Sequence, residues 1–203
     1  MAPGATKLMP SIYSEAIHRF NSYLREAETS EKADPGAMTL ATCDRSGRPT
    51  ARTVLLKGVS EEGLMFFTNA KSTKGQQLAD NPRACVVFHW RSLRQQVIFE
   101  GSVSELSAIE SDKYWDTRDR ESQISAWASK QSQPLSNRTA LRNKVNEMKE
   151  RFRDEKVPRP AYWQGYRLQP ERIEFWRAGW ARLNERESYE QTEGQWTKQL
   201  LNP

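Results

Sequence analysis

Hydrophobic and polar positions follow two different periods along the chain. Over residues 11–29, apolar side chains recur every three or four positions, at Ile17, Phe20, Leu24 and Ala27, which is the spacing of one helix face. From Met38 the period shortens to two, which is typical of half-buried β-strands. The pattern therefore predicts an amphipathic helix near the N-terminus, followed by a series of strands.

Short polar turns and one short helix divide the region of period two. Strands are predicted over residues 38–43, 50–57, 64–69, 84–90 and 95–106. The turn Asp44-Arg45-Ser46-Gly47 joins the first two strands as a hairpin. A helix is predicted over residues 72–80, with Ser72 as its N-cap and Asn81-Pro82 as its end.

Helical spacing returns in the middle of the chain. Ser107 and Glu110 form a capping-box pattern, which opens a helix expected to carry Tyr114 and Arg118 on one face, four residues apart. A further amphipathic helix, ended by prolines 158 and 160, is predicted from Leu141, Val145, Met148 and Phe152. Strands are then predicted over residues 163–168, 172–176, 182–189 and 195–201.

Strands joined by hairpins, without regular alternation of strand and helix, predict a mainly β protein with helices, of the α+β class. We expect an antiparallel β-barrel decorated with peripheral helices. A chain of 203 residues suits one domain. We therefore predict a single domain over residues 1–203, in which residues 1–36 are an N-terminal helix and lead-in and residues 107–157 are a helical insert.

The formal net charge of +5 could favour binding to nucleic acid, to a membrane surface or to small anions. Acidic and basic residues alternate along most of the chain, and no run of five like charges occurs. Single bases beside hydroxyl groups suit phosphate pockets better than a long polyanion, so no nucleic-acid partner is expected. A basic nucleic-acid binder that uses the seven tryptophans is the weakest of the alternatives.

The apolar runs are too short to span a bilayer, so no membrane partner is expected. The first ten residues lack the apolar segment of a secretory signal. Cys43 and Cys85 each lie inside an apolar run, which favours two buried free thiols over a disulfide framework. These features predict a cytoplasmic protein.

Two histidines, His18 and His89, are too few for a histidine-rich metal site and make a Ser-His-Asp triad implausible, and we expect no metal. Neither a dinucleotide-binding glycine motif nor a P-loop is present. The informative bases are Arg52 and Lys57, which flank one strand, and Lys74 in the first turn of the Ser72 helix. Lys74 is suited to a phosphate site, although an ordinary solvated lysine is the simpler interpretation of that segment alone.

Four segments carry a resemblance to a known family. They are Arg52-Thr53-Val54-Leu55-Leu56-Lys57, Phe67-Thr68-Asn69, Ser125-Ala126-Trp127-Ala128-Ser129-Lys130-Gln131-Ser132 and Ile173-Glu174-Phe175-Trp176. Together and in this order they closely resemble the pyridoxamine 5′-phosphate oxidase pattern, over about residues 37–203. The resemblance implies a split β-barrel homodimer with FMN in a cleft between the subunits.

The resemblance also implies which residues bind FMN. Arg52 and Lys74 would neutralise its phosphate, and Gln131 and Ser132 would add hydrogen bonds from the other chain. Phe67 and Thr68 would line the flavin, and Gln96, Trp176 and Arg186 would address its rings. The full set of expected FMN-binding residues is Arg52, Thr53, Val54, Leu55, Phe67, Thr68, Thr73, Lys74, Gln96, Gln131, Ser132, Trp176 and Arg186.

For the substrate, the resemblance implies a phosphate cradle of Lys57, Tyr114, Arg118 and Ser122. Arg182 and Asn184 match the positions that bracket the pyridine ring at the reacting carbon, and they are the candidate catalytic residues. The implied reaction oxidises pyridoxamine or pyridoxine 5′-phosphate to pyridoxal 5′-phosphate by hydride transfer to the flavin, which dioxygen reoxidises with release of hydrogen peroxide.

The sequence departs from the family pattern mainly around the substrate. Asn184 stands where the family usually has histidine, Ala178 replaces one of two glycines, Trp180 is an added bulky aromatic, and Thr73 replaces a base. The family's basic N-terminal segment is not recognisable before Pro10. Two alternatives therefore stay open: a flavin oxidase of the same barrel acting on another compound, such as a phenazine precursor, and a protein that binds FMN or pyridoxal phosphate without turnover.

Overall fold

The computed structural model describes residues 11–203. Its helices are α1 (Ile12–Ser30), α2 (Thr73–Asp80), α3 (Ala108–Asp116), α4 (Arg120–Ala128) and α5 (Arg138–Arg151). Its strands are β1 (Ala37–Cys43), β2 (Pro49–Leu55), β3 (Gly58–Ser60), β4 (Gly63–Asn69), β5 (Arg83–Trp90), β6 (Gln95–Glu105), β7 (Trp163–Arg177), β8 (Glu185–Thr192) and β9 (Gln195–Leu201). The family's N-terminal segment before Pro10 falls outside the described residues.

The strands form one antiparallel sheet in the order β2-β1-β5-β6-β7-β4-β3, and β8 and β9 extend from β7. The sheet curls into a half-barrel. Its centre is β7, which pairs with β4 through its first six residues and with β8 through its last six. The prediction of an antiparallel split barrel with peripheral helices is confirmed.

The main hydrophobic core lies between the sheet and α1. Alternate residues of β5 and β6, such as Phe88 and Phe99, point inward and are fully buried, as the period of two predicts. Phe20 of α1 contacts both, with ring centroids 4.9 Å away in each case. The predicted helix is confirmed, with Ser11 as its N-cap, and its apolar face anchors the helix on the barrel.

A second hydrophobic cluster lies under the helical segment of residues 108–151. Trp115 of α3, Ile124 of α4 and Met148 of α5 pack against Trp163, the first residue of β7. This cluster ties the three helices to the sheet beside the end of β4. That the two clusters fold together as a single domain stays a prediction.

Several of the sequence-based element boundaries are wrong, two of them among the later strands. The strands predicted over residues 163–168 and 172–176 are one strand, because β6 shifts register between Glu100 and Gly101 and so accommodates Pro170, which lacks a backbone donor. The strand predicted to begin at Arg182 begins at Glu185. A 3-10 turn precedes it, in which Ala181 and Arg182 have positive φ values of 49° and 66°.

The helix predicted to carry both Tyr114 and Arg118 ends earlier. Thr117 is the C-cap of α3, and the Asp119 side chain accepts a hydrogen bond from the Ser122 backbone at 2.8 Å, which starts α4 as a separate helix. Tyr114 and Arg118 are therefore on a helix and on the following turn, respectively. The short strand β3 was not predicted.

The two cysteines are free, as expected, although both are half-buried and not buried. None of the helices in residues 11–203 combines the length and apolar character needed to cross a membrane. In the same described stretch, histidine, cysteine, aspartate and glutamate side chains form no group of three that could hold a metal ion.

Candidate functional site

A cleft of about 470 Å³ opens between the end of β2, β4, the start of α2 and the turn between α3 and α4. Its lining residues are Thr53, Val54, Leu55, Lys57, Phe67, Thr68, Lys74, Tyr114, Thr117, Arg118, Asp119, Ser122, Gln131 and Trp163. All four residues of the predicted substrate cradle are in this set, together with seven of the thirteen expected FMN-binding residues.

Lys74 is the most unusual charge in the cleft. It follows the N-cap Ser72 on α2 and is only 7% exposed. Its Nζ donates to Thr68 Oγ1 and to Gln131 Oε1, both at 3.2 Å, and within residues 11–203 it makes no ion pair with a carboxylate. Burial, and then the nearby charge of Arg52, lower the pKa of Lys74. The site therefore holds a buried cation whose hydrogen-bond partners are neutral oxygens.

Arg52 lies beside the cleft and does not line it. Its guanidinium donates to the Leu40 carbonyl at 3.1 Å and to Thr42 Oγ1 at 2.6 Å, and it also contacts Thr50 Oγ1 and Gln77 Oε1. Burial lowers the pKa of Arg52. Arg52 is thus held by neutral acceptors near Lys74, and the two cations together make this end of the cleft strongly positive.

The floor of the cleft is aromatic. The rings of Phe67 and Tyr114 stack with centroids 4.1 Å apart, and Phe67 also stacks on Trp163 at 5.0 Å. Arg118 places its guanidinium carbon 4.8 Å from the centre of the Trp163 ring. Trp163 was not among the predicted site residues, because its position at the start of a strand resembles that of an ordinary core residue.

Arg118 is another cation that lines the cleft. Its Nη2 donates to the Ser122 carbonyl at 3.3 Å, and burial lowers its pKa. Asp119, which follows Arg118 in the sequence and also lines the cleft, caps α4. Hydrogen bonds from Ser122 lower the pKa of the Asp119 carboxyl group. Asp119 and Thr117 were also missed by sequence reasoning, since both belong to a turn that was predicted to be helix.

Eight predicted site residues do not line this cleft: Arg52, Thr73, Gln96, Ser132, Trp176, Arg182, Asn184 and Arg186. Three of them form one cross-strand row, because Gln96 of β6 pairs with Trp176 of β7, which pairs with Arg186 of β8. Trp176, Asn184 and Arg186 line a separate hollow of about 280 Å³. Within one chain, the predicted site is therefore divided into the cleft and a β6-β7-β8 row.

A tight loop beside the row carries Arg182 and Asn184. The Gly179 backbone donates to Asn184 Oδ1 at 3.2 Å, which closes the loop on itself. A side chain at position 179 would collide with the Leu183 carbonyl, so this glycine is required for the close approach. Arg182 is exposed with a positive φ, and Trp180 is 86% exposed.

Three further predicted residues have distinct positions. Gln131 Oε1 accepts from Lys74 Nζ of the same chain at 3.2 Å, and its expected hydrogen bond to FMN from the other chain stays a prediction. Ser132 has a positive φ of 68° and lies outside the cleft, on a neighbouring hollow. Thr73 is exposed at the start of α2 and does not line the cleft.

A split barrel whose cleft joins buried cations to an aromatic floor is a binding protein for flat, anionic ligands. Comparison with known proteins identifies the family. Residues 24–152 match the family model described as pyridoxamine 5′-phosphate oxidase, and residues 163–203 match the pyridoxine 5′-phosphate oxidase C-terminal dimerisation region. The chain belongs to the pyridoxamine 5′-phosphate oxidase family.

Individual relatives agree with this assignment. A pyridoxine/pyridoxamine 5′-phosphate oxidase of Alkalilimnicola ehrlichii is 53% identical over 95% of this chain and 99% of its own length. One from Sphingopyxis alaskensis is 48% identical over 91% of this chain and 85% of its own. Among solved structures, PhzG from Burkholderia lata 383, in complex with tetrahydrophenazine-1-carboxylic acid, has a TM-score of 0.89 at 30% identity, covering 100% of this chain and 98% of that one.

Proposed function

We propose that this protein is an FMN-dependent oxidase that converts pyridoxamine 5′-phosphate or pyridoxine 5′-phosphate to pyridoxal 5′-phosphate, with dioxygen as acceptor and hydrogen peroxide as product. Family membership and the names of the relatives support this activity. The structural observation that carries it is the presence of two cationic centres, Lys74 and Arg118, in one aromatic cleft. Two phosphate groups, one on the cofactor and one on the substrate, would supply the missing negative charge.

The donors around Lys74 fit the phosphate of FMN. A buried ammonium group without a carboxylate partner, in the first turn of a helix, is a strong site for a phosphate dianion. Arg52 would add its charge from beside the cleft, and Phe67 and Thr68 would line the flavin. When bound, FMN supplies the redox chemistry by accepting a hydride and passing the electrons to dioxygen.

A second set of cleft residues would hold the substrate. Arg118, Lys57, Tyr114 and Ser122 offer two charges and two hydroxyl groups to a second phosphate. Because this phosphate is remote from the reacting carbon, binding energy gained there can hold that carbon against the flavin. The cradle therefore favours phosphorylated substrates over the free vitamin.

We further propose that the active unit is a homodimer with FMN at the subunit interface. The chain's match to a dimerisation region supports the dimer. The β6-β7-β8 row and the loop of Arg182 and Asn184 do not reach the cleft of their own chain. In the dimer, the row and loop of one subunit would complete the cleft of the other, and the exposed Trp180, Leu183 and Leu200, which are at least 65% accessible in one chain, would become covered.

Ser132 would join the phosphate site from the partner subunit, as the resemblance implies.

The two free thiols suit a reducing compartment, which supports a cytoplasmic enzyme.

The visible absorption spectrum of the purified protein tests this proposal. We expect the two bands of an oxidised flavin, bleaching of the longer-wavelength band when pyridoxamine 5′-phosphate is added without air, and peroxide release when air is admitted. A protein without flavin bands after reconstitution with FMN would contradict the cofactor. Flavin bands that persist when the substrate is added without air would support FMN as the cofactor and contradict the proposed substrate.

The similarity to PhzG supports one alternative substrate class. That structure contains tetrahydrophenazine-1-carboxylic acid, which is an anion without a phosphate. A carboxylate could use Arg118 and Tyr114, but it offers fewer acceptor oxygens to Lys57 and Ser122. Competition between pyridoxamine 5′-phosphate and a reduced phenazine carboxylate in the bleaching assay separates the two classes.

A further inference from the structure

A buried ion-pair network lies next to the β6-β7-β8 row. Its centre is Glu174 of β7, which is 3% exposed and lies two residues before Trp176, on the same face of the strand. Glu174 Oε1 accepts from Arg186 Nε at 2.8 Å, and its Oε2 accepts from Arg186 Nη2 at 3.1 Å. The carboxylate thus binds one whole edge of the Arg186 guanidinium.

This contact leaves a defined part of Arg186 available. Arg186 Nη1 donates to the Asn202 carbonyl at 3.1 Å, so one N–H on each terminal nitrogen has no partner in the described chain. Because a guanidinium is planar and rigid, fixing one edge fixes the direction of the remaining donors. The geometry turns a flexible side chain into a group with a preset orientation.

The other member of the network, Arg172, does not depend on Glu174 for its charge partner. It binds Glu100 Oε1 at 2.6 Å, Glu190 Oε1 at 3.0 Å and Glu174 Oε2 at 2.5 Å. Arg186, in contrast, pairs with Glu174 and with no other carboxylate in residues 11–203. Burial alone would raise the pKa of Glu174, but the hydrogen bonds from Arg186 and Arg172 outweigh it and lower the pKa, so the carboxylate is charged at neutral pH.

We infer that Glu174 is a positioning residue, which holds Arg186 in the orientation that binds the flavin ring system. This inference rests on the proposed function, in which Arg186 addresses the flavin. Glu174 would act on FMN only through Arg186, since the row that faces the ring contains Gln96, Trp176 and Arg186 and not the carboxylate itself.

The test is the affinity of the apoprotein for FMN, measured by quenching of flavin fluorescence. Glu174→Gln keeps the volume and one acceptor oxygen but removes the charge and one of the two contacts to Arg186. We expect its Kd for FMN to rise about tenfold, which corresponds to about 1.4 kcal/mol. The matched controls are Glu190→Gln and Glu100→Gln, which each remove a charged partner of Arg172 and make no ion pair with Arg186. We expect each to change Kd less than twofold.

A double-mutant cycle with Arg186→Met separates positioning from a general effect on folding. Arg186→Met should itself weaken FMN binding at least tenfold, and adding Glu174→Gln should change Kd by less than a further twofold. If Glu174→Gln still has its full effect in the Arg186→Met background, or has none in the wild-type background, the inference is overturned. If Arg186→Met leaves FMN affinity unchanged, the proposal that Arg186 contacts the flavin is contradicted.

Melting of the apoproteins, followed by circular dichroism, shows whether each variant is folded. Should Glu174→Gln not fold, Glu174→Asp replaces it, because it keeps the charge but its shorter side chain cannot reach both nitrogens of Arg186. The inference then requires a folded Glu174→Asp protein with weakened FMN binding, and wild-type affinity in that variant overturns it.

Discussion

The cleft and the β6-β7-β8 row differ in the partners of their positively charged side chains. In the cleft, Lys74 is buried and Arg118 is half-buried, and their direct partners are neutral oxygens and aromatic rings. In the row and its network, Arg186 and Arg172 are bound by carboxylates. In the first region the lining carboxylate, Asp119, caps α4 and makes no ion pair with either cation within residues 11–203, whereas in the second each arginine is paired with a carboxylate.

This difference indicates what each region contributes. A buried cation without a counter-ion destabilises the empty protein, and the cost is recovered when an anion binds. A cation already paired with a carboxylate gains little from an anion and serves better as an oriented hydrogen-bond donor. We therefore expect the cleft to determine affinity for phosphate groups, and the row to determine the orientation of the flavin ring.

The largest effect is expected from Lys74→Met, which removes the uncompensated charge and keeps the length of the side chain. Loss of a charge-assisted contact worth about 3 kcal/mol would weaken FMN binding about a hundredfold. The same change should raise the melting temperature of the apoprotein, since a buried cation is replaced by an apolar group. Fluorescence titration and thermal melting measure the two effects.

Lys71→Met is the matched control, because Lys71 lies just before the N-cap of α2, three residues from Lys74, but is exposed. It should leave both FMN affinity and apoprotein stability close to those of the wild type. Titration with riboflavin, which has no phosphate, should show little difference between Lys74→Met and the wild type. Equal losses of affinity for riboflavin and for FMN would mean that Lys74 does not bind the phosphate. The proposed difference between the two regions would then be contradicted.

A smaller effect is expected at the proposed substrate cradle. Arg118→Ala should raise KM for pyridoxamine 5′-phosphate more than tenfold, by loss of a contact worth about 1.5–3 kcal/mol, and should leave the Kd for FMN nearly unchanged. Steady-state peroxide release gives KM, and Lys113→Ala, an exposed change on α3, is the control. Unchanged kinetics in Arg118→Ala would exclude Arg118 from the substrate cradle.

Much of the fold could be predicted because it follows local rules. The N-cap Ser72, the capping box at Ser107 and the hairpin of β1 and β2 are each specified by a few neighbouring residues, and all three are present. The break after Asp116 was missed because helical spacing continues through it while a new cap at Asp119 competes. The unbroken β7 depends on a register shift in its pairing with β6, which no local pattern reveals.

The candidate site could be predicted as a list of residues but not as an arrangement. The sequence indicated Lys74 and Arg118, but not that Lys74 is buried without an ion pair to any carboxylate of residues 11–203, or that Trp163 lies against Arg118. Glu174 appeared only as part of a motif, because its pairing with Arg186 requires the register of β7 and β8. Such contacts arise from strand pairing, which sequence spacing does not determine.

The smallest effect is expected where the row meets its loop, at Asn184. Its Oδ1 closes the loop by accepting from Gly179, but an amide cannot take up or carry a proton at neutral pH. Asn184→His restores the residue usual in the family, and an unprotonated ring nitrogen can accept the same hydrogen bond. We expect kcat to rise by less than tenfold and to fall again below about pH 6.5, where histidine becomes charged.

Asn184→Ala separates the two roles of this side chain, since it loses the loop closure and gains no titrating group. It should lower kcat at every pH without adding a new ionisation to the pH profile. A pH profile of Asn184→His identical to that of the wild type would mean that position 184 only shapes the loop. The row would then contribute orientation alone, while a new acidic limb would show that its neighbouring loop can also take part in proton transfer.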